Sequence, residues 1–294
     1  MFSKVKKSIR NTVSELSPTL STKLLYKRYF HKRIDLRNPK TFNEKVCWLK
    51  LNTYFDNETV KICADKYRVR KYIKDKGLGE LLIPLIGVVN NSEELLWDGL
   101  PNQFALKLNV GCGCNIICTD KSKLNCDDVK KQMDEWQNGK YYLRSAEYQY
   151  KDIPKRFIIE ECLPVKNGNL PPDYKFYCAN GKCEVIMLCT GREIGNGANF
   201  YFFDREWNLF KNSSIDYNFD SMEKPSLLNE AIRYAEKLAE GFPVVRVDLF
   251  LENDRIYFGE LTFTPGAGLD TDFSYVPQGM NITLDEYLGK KVKL

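Results

Sequence analysis

Hydrophobic and polar positions change their spacing along the chain, helix-like at first, then mixed, then mostly strand-like around one long helix. Residues 1–56 read as basic helices. Within them Thr41-Phe42-Asn43-Glu44 has capping-box spacing, with Thr41 as N-cap and Glu44 reaching back, and opens a short helix through Leu51. Residues 57–76 predict another helix, ended by Gly77 and Gly79. Residues 81–89 predict a buried strand and 92–96 a short helix. Strands at 103–109 and 115–119 flank Gly111-Cys112-Gly113, and 125–137 predicts a helix capped by Asn125 or Asp127.

From Arg156 onward the pattern turns to strands. One is expected at 156–162, and two at 174–179 and 183–189, joined by the hairpin dipeptide Asn180-Gly181. A further strand is expected at 199–203. Residues 225–240 place Leu227, Leu228, Ala231, Ala235 and Leu238 on one helical face. Strands at 242–251 and 255–263 close around Asn253-Asp254, and a small helix lies near 284–288. No repeat or low-complexity segment interrupts this order. It predicts an α+β protein of two lobes around a cleft, divided into residues 1–56, 57–155 and 156–294.

Composition fits that picture. The 294 residues are 43% hydrophobic and 28% charged, enough apolar material for a sizeable core. The net charge of +5 conceals an asymmetry. Residues 1–50 carry 13 Lys or Arg against 3 Asp or Glu, and the remainder 31 against 36. A basic arm on an acidic body suggests an anionic partner for the arm, such as the inner face of a membrane; a solvated helical face is the alternative. The charged start at residues 1–10 and the lack of any long apolar run predict no signal peptide, no membrane span and a cytoplasmic location. Ten cysteines without a Cys-x-x-Cys, and His31 as the one histidine, argue against structural zinc, disulfides and histidine-based catalysis. Any chemistry then rests on Lys, Arg, Asp and Glu.

Four stretches offer such residues. In Arg246-Val247-Asp248 and Glu260-Leu261-Thr262, period-two alternation turns Arg246 and Asp248 one way, and Glu260 and Thr262 likewise. Pairing through the Asn253-Asp254 turn brings Asp248 opposite the Glu260 region. Two carboxylates on one face repel unless a cation lies between them. Mg²⁺ suits such a place, and pairing with neighbouring Arg or Lys is the alternative. Lys107, inside the apolar run Phe104 to Leu108, is costly to bury without an anion, and the adjoining glycine turn offers backbone N–H groups to a phosphate. Phe157 to Glu161 reads as a strand leading into a Glu160-Glu161 hinge. Asp173-Tyr174-Lys175 sets a second lysine on a strand, with Arg192 after the next one.

In this order the stretches resemble an ATP-grasp fold, and more closely the TupA-like branch, named for teichuronopeptide synthesis and frequent among bacterial surface-polysaccharide proteins. The likeness also rests on Thr41 to Lys45, Ala64-Asp65-Lys66-Tyr67, Phe242 to Asp248 and Glu260 to Gly268. It implies ATP and Mg²⁺ as cofactors. By the resemblance Lys107 and Lys175 would contact the phosphates, and Asn109 and Gly111 to Gly113 would lie at the covering loop. Glu160 and Glu161 would meet adenine and ribose, and Asp248, Glu260 and Thr262 would hold the metal. Arg246, with Arg192 and Lys175, would serve the chemistry. Thr262 stands where the wider fold has Asn, and Cys112 and Cys114 where relatives carry Ser and an aromatic residue. The implied activity is ATP-dependent joining of a carboxylate, on a sugar or polysaccharide precursor, to an amine through an acylphosphate, in surface polysaccharide or capsule synthesis. A glycosyltransferase using a nucleotide-sugar and a non-catalytic nucleotide-binding module are the competing readings.

Overall fold

The computed structural model describes residues 2–165, 168–191, 198–213 and 222–294, with side chains from residue 7 onward. The basic segment forms α1 (Phe2–Leu16) and α2 (Pro18–Phe30), a hairpin turned at Ser17, whose hydroxyl accepts from Leu20 N. Helix α3 (Phe42–Leu51) opens with the expected capping box, the Thr41 and Glu44 side chains each bonding the other's backbone. The helix expected at 57–76 is instead two, α4 (Glu58–Ala64) and α5 (Val69–Asp75). The break falls at Asp65, whose Oδ1 accepts from Tyr67 N and Arg68 N and so competes with the helical bonds.

A four-stranded antiparallel sheet follows, built from β1 (Leu85–Val89), β2 (Phe104–Leu108), β3 (Asn115–Cys118) and β4 (Phe157–Glu160) in the order β1-β4-β2-β3. Strand β1 is shorter and more exposed than the expected 81–89, because Pro84 and a bulge after Leu85 confine pairing. Residues 92–96 form a turn, not a helix, with Asn90 and Asn91 binding Glu94. Helix α6 (Cys126–Gln137) is capped by Asn125.

The larger sheet contains β5 (Asp173–Ala179), β6 (Lys182–Thr190), β7 (Asn199–Phe203), β8 (Val244–Glu252) and β9 (Arg255–Thr262), all antiparallel, in the order β7-β6-β5-β8-β9. Both expected hairpin turns take positive φ, at Asn180 and Gly181 and at Asn253 and Asp254. Helix α7 (Leu228–Ala239) buries Leu228, Ala231, Ala235 and Leu238 against one face of this sheet, on which Phe176, Val247 and Leu249 also lie. Helix α8 (Leu284–Lys291) packs on α3.

Two contacts cross the expected unit boundaries. Strand β4 lies beyond residue 155, yet it fills the centre of the first sheet between β1 and β2, where its apolar residues are buried on both faces. Phe42 of α3 packs edge-on against Tyr177 and Phe273, so the N-terminal segment enters the core of the last unit.

Candidate active site

Period-two alternation gives the larger sheet two distinct faces. Opposite the α7 face stand Asp173, Lys175 and Tyr177 of β5, Met187 and Cys189 of β6, and Arg246, Asp248 and Phe250 of β8, lining a cavity of about 490 Å³. Register brings their charges together: Lys175 pairs across the strands with Asp248, and Asp248 with Glu260. A bulge follows Asp248, at Gly259 of β9. The first sheet closes the cavity with Ala105 and Lys107 of β2, Asn115 and Ile117 of β3, and the turn at Gly111 to Cys114.

Asp248 is buried and held by three cationic bonds. Arg246 Nε lies 2.6 Å from its Oδ1, Arg246 Nη2 lies 2.7 Å from its Oδ2, and Lys175 also donates to Oδ2. Lys175 donates to Asp173 as well. Arg246 Nη2 reaches on to Glu260 Oε1 at 3.0 Å and to Thr262 Oγ1 at 3.1 Å, and Lys66 Nζ stands 3.7 Å from Glu260. Thus the facing carboxylates are bridged by a guanidinium, the alternative left open from the sequence. Burial opposes the charge on Glu260, but Lys66, Arg246 and Lys175 outweigh it and bring its carboxyl down to about 2. Burial likewise opposes the Lys175 charge, and Asp173 and Asp248 raise its pKa above the ordinary lysine value.

Lys107 donates to Glu160 Oε2 at 2.8 Å, and Arg70 to Glu160 Oε1 at 2.9 Å. Glu160 is therefore engaged inside the first lobe, while Glu161, Cys162 and Leu163 line the cavity. Asn109 is buried and spent on the backbone, donating to Pro154 O and accepting from Arg156 N. It ties two segments together and does not face the cavity, because the chain turns after β2. Gly111 and Gly113 take φ of +84° and +77°, open to glycine at little cost. Lys66 donates to Gly111 O at 3.0 Å and so links this loop to the Glu260 side. Arg192 lies outside the described residues.

Sequence reasoning assigns no role to Lys66, Arg70, Asp173, Asp270 or Asp272, although Lys66 and Asp173 stand in stretches it singles out. The spacing puts Asp65-Lys66 inside one predicted helix, and the signal for the break is an Asp able to cap a new turn. Sequence reasoning also misses how the loop after β9 is held. Gly266, Ala267 and Gly268 all have positive φ, and one face of α3 grips them. Lys50, wholly buried, donates to Ala267 O at 2.8 Å and Ser145 O at 2.9 Å. Asn43 donates to Asp270 O at 3.0 Å and accepts from Asp270 N at 2.8 Å. A Cβ on Gly268 would meet Cys47 Sγ at 2.7 Å, which is why the loop and the helix can touch. Asp270, at the cavity wall, has its carboxyl raised to about 6, by burial first and by Asp272 second.

The TupA-like ATP-grasp family model matches residues 44–293. The chain belongs to that family. Its α+β architecture of two antiparallel sheets is an ATP-grasp fold. Solved structures similar to this ATP-grasp protein include the D-alanine–D-alanine ligase of Bacillus anthracis complexed with ATP. That match has 16% identity over 70% of this chain and 55% of that one, with a TM-score of 0.40. The D-alanine–D-alanine ligase of Helicobacter pylori matches at 15% identity over 86% and 67%, with a TM-score of 0.41. The N5-carboxyaminoimidazole synthase of Aspergillus clavatus, in complex with ADP and 5-aminoimidazole ribonucleotide, matches at 15% over 70% and 46%, with a TM-score of 0.39. The chain thus spans little more than half the length of the first of these ligases. No curated protein matches the sequence significantly.

The donors present are of the kind Mg²⁺ takes, and it would share them with Arg246 and Lys175. Among the described residues no three His, Cys, Asp or Glu side chains form a ready-made metal cage. Mg²⁺ requires none, since it takes one or two carboxylates together with substrate phosphates. Asp248 and Glu260 are cross-strand neighbours with hard oxygen donors, and Thr262 adds a hydroxyl 3.2 Å from Glu260 Oε1.

Proposed function

We propose that this protein is an ATP-dependent carboxylate–amine ligase acting in the synthesis of a surface polysaccharide. One observation carries the reading. Lys107 and the glycine turn on one sheet face Lys175, Arg246, Asp248 and Glu260 on the other, across one cavity large enough for a nucleotide. The polysaccharide substrate is suggested by the family name alone.

In this reading the adenine end lies by Glu161 to Leu163, where the wall is largely apolar, and the phosphates run toward Lys107 and Lys175. Mg²⁺, held by Asp248 and Glu260 with Thr262 beside them, would offset charge on the phosphate oxygens. The chain supplies the rest through position and electrostatics. Lys107 and Lys175 donate to the oxygens that gain charge as the γ-phosphoryl group passes to a substrate carboxylate. Arg246, at the floor of the cavity, neutralises the acylphosphate oxygens, after which an amine attacks the acyl carbon and inorganic phosphate leaves. The loop at Gly266 to Asp272 would border the acceptor, and Asp270 would face the incoming amine.

Thermal melts with Mg-ATP and with UDP-sugars test this. At a ligand concentration near 100 times Kd, ATP should stabilise the protein by about 2.7 kcal/mol. Stabilisation by UDP-sugars and none by ATP would favour a glycosyltransferase and end the ligase reading.

A further inference from the structure

Among the described side chains of helix α1, two apolar ones point away from the protein and Val13 is half-buried. Ile9 and Leu16, seven residues apart and so on one face, are 60% and 81% exposed. Ser14, on the opposite face, meets Ser21 of α2 at 2.6 Å, and its carbonyl accepts from the Tyr148 hydroxyl. Helix α2 repeats the arrangement. Ser21, Thr22 and Tyr26 are buried against the body, while Leu20 and Leu24 project outward one turn apart, with Lys23 and Lys27 exposed on the same side. An ordinary surface helix buries its apolar stripe, so this hairpin keeps a second stripe for something else. Between residues 7 and 33 stand seven Lys or Arg against the single acid Glu15, and all but Arg10 of the seven are exposed.

We infer that the α1–α2 hairpin is a docking face for an anionic phospholipid surface. Leucines and an isoleucine outward, with lysines beside them, match the boundary between acyl chains and anionic headgroups. Lysine stems lie along the apolar layer while their ammonium groups meet lipid phosphates. No helix among the described residues is long and apolar enough to cross a membrane, so the contact is peripheral. The face lies apart from the cavity residues, and its loss should leave nucleotide binding intact.

Vesicle flotation of the whole protein tests this, comparing neutral phosphatidylcholine with vesicles containing about one-third phosphatidylglycerol. Partitioning should be at least about tenfold stronger onto the anionic vesicles and should fall at high salt. It should be lost in the double variant Leu20→Asn/Leu24→Asn and in Lys23→Glu/Lys27→Glu, with both still stabilised by Mg-ATP as the parent is. Equal partitioning onto neutral and anionic vesicles overturns the proposal. So does sedimentation showing that the stripe is covered in a dimer, or binding to a soluble anionic polysaccharide without binding to vesicles.

Discussion

Replacing Asp248 by Asn removes one negative charge from the middle of a buried network. Asp173, Asp248 and Glu260 balance Lys175, Arg246 and Lys66, and the variant leaves one positive charge in excess. Asn can keep one acceptor toward these donors, but its amide must point an N–H at a guanidinium or an ammonium. Breaking a fully buried ion pair costs about 3–5 kcal/mol. Here Asp173 still partners Lys175 and Glu260 still partners Arg246, which lowers the expected loss to about 3 kcal/mol. Glu260 is a third exposed and accepts from Arg246 at 3.0 Å, so Glu260→Gln should cost roughly 1 kcal/mol. Urea melts without ligand measure both. Melts with Mg-ATP should show stabilisation of the parent and none of Asp248→Asn. An Asp248→Asn variant as stable as the parent would refute the pairing argument. Retained Mg-ATP stabilisation would refute the metal assignment.

Lys107→Ala should fold, because Arg70 still holds Glu160, while ATP affinity measured by calorimetry falls about tenfold or more for a lost charge-assisted phosphate contact. Lys50→Met should destabilise the protein by about 2 kcal/mol by leaving the Ser145 and Ala267 carbonyls unsatisfied. Steady-state kinetics should then show a raised acceptor KM with ATP affinity unchanged. Asp270 titrates higher folded than unfolded, so the folded state binds the extra proton between about pH 4 and 6 and loses stability as pH rises through that window. Asp270→Asn should therefore raise the melting temperature at pH 8 and leave it nearly unchanged at pH 4.

The sheets, their turns and most of the cavity face were legible because period-two patterns and hairpin dipeptides are local signals. Counting residues through the Asn253-Asp254 turn brings Asp248 to the Glu260 region, at Gly259, and the bulge that moves its partner to Glu260 has no local signal. The placement of β4 was not legible, because Phe157 to Glu160 reads as a buried strand and nothing local says which sheet receives it. Nor could spacing tell that Glu160 turns inward to Lys107 and Arg70 while Glu161 faces the cavity. The missed lysines share one cause. Lys50 and Lys66 act on residues about 200 positions away, Ala267 and Glu260, and one sequence carries no trace of such distant pairing.

The grip of α3 on the loop after β9 joins the two ends of the chain. Asn43 bonds Asp270, 227 positions downstream, and Asp285 of α8, 242 positions downstream. Asn43 thus holds the loop and α8 at once, so one short side chain in the N-terminal third couples two C-terminal segments that have no local reason to meet. Substitution at Asn43 would therefore loosen both segments together, although each lies more than 200 positions away.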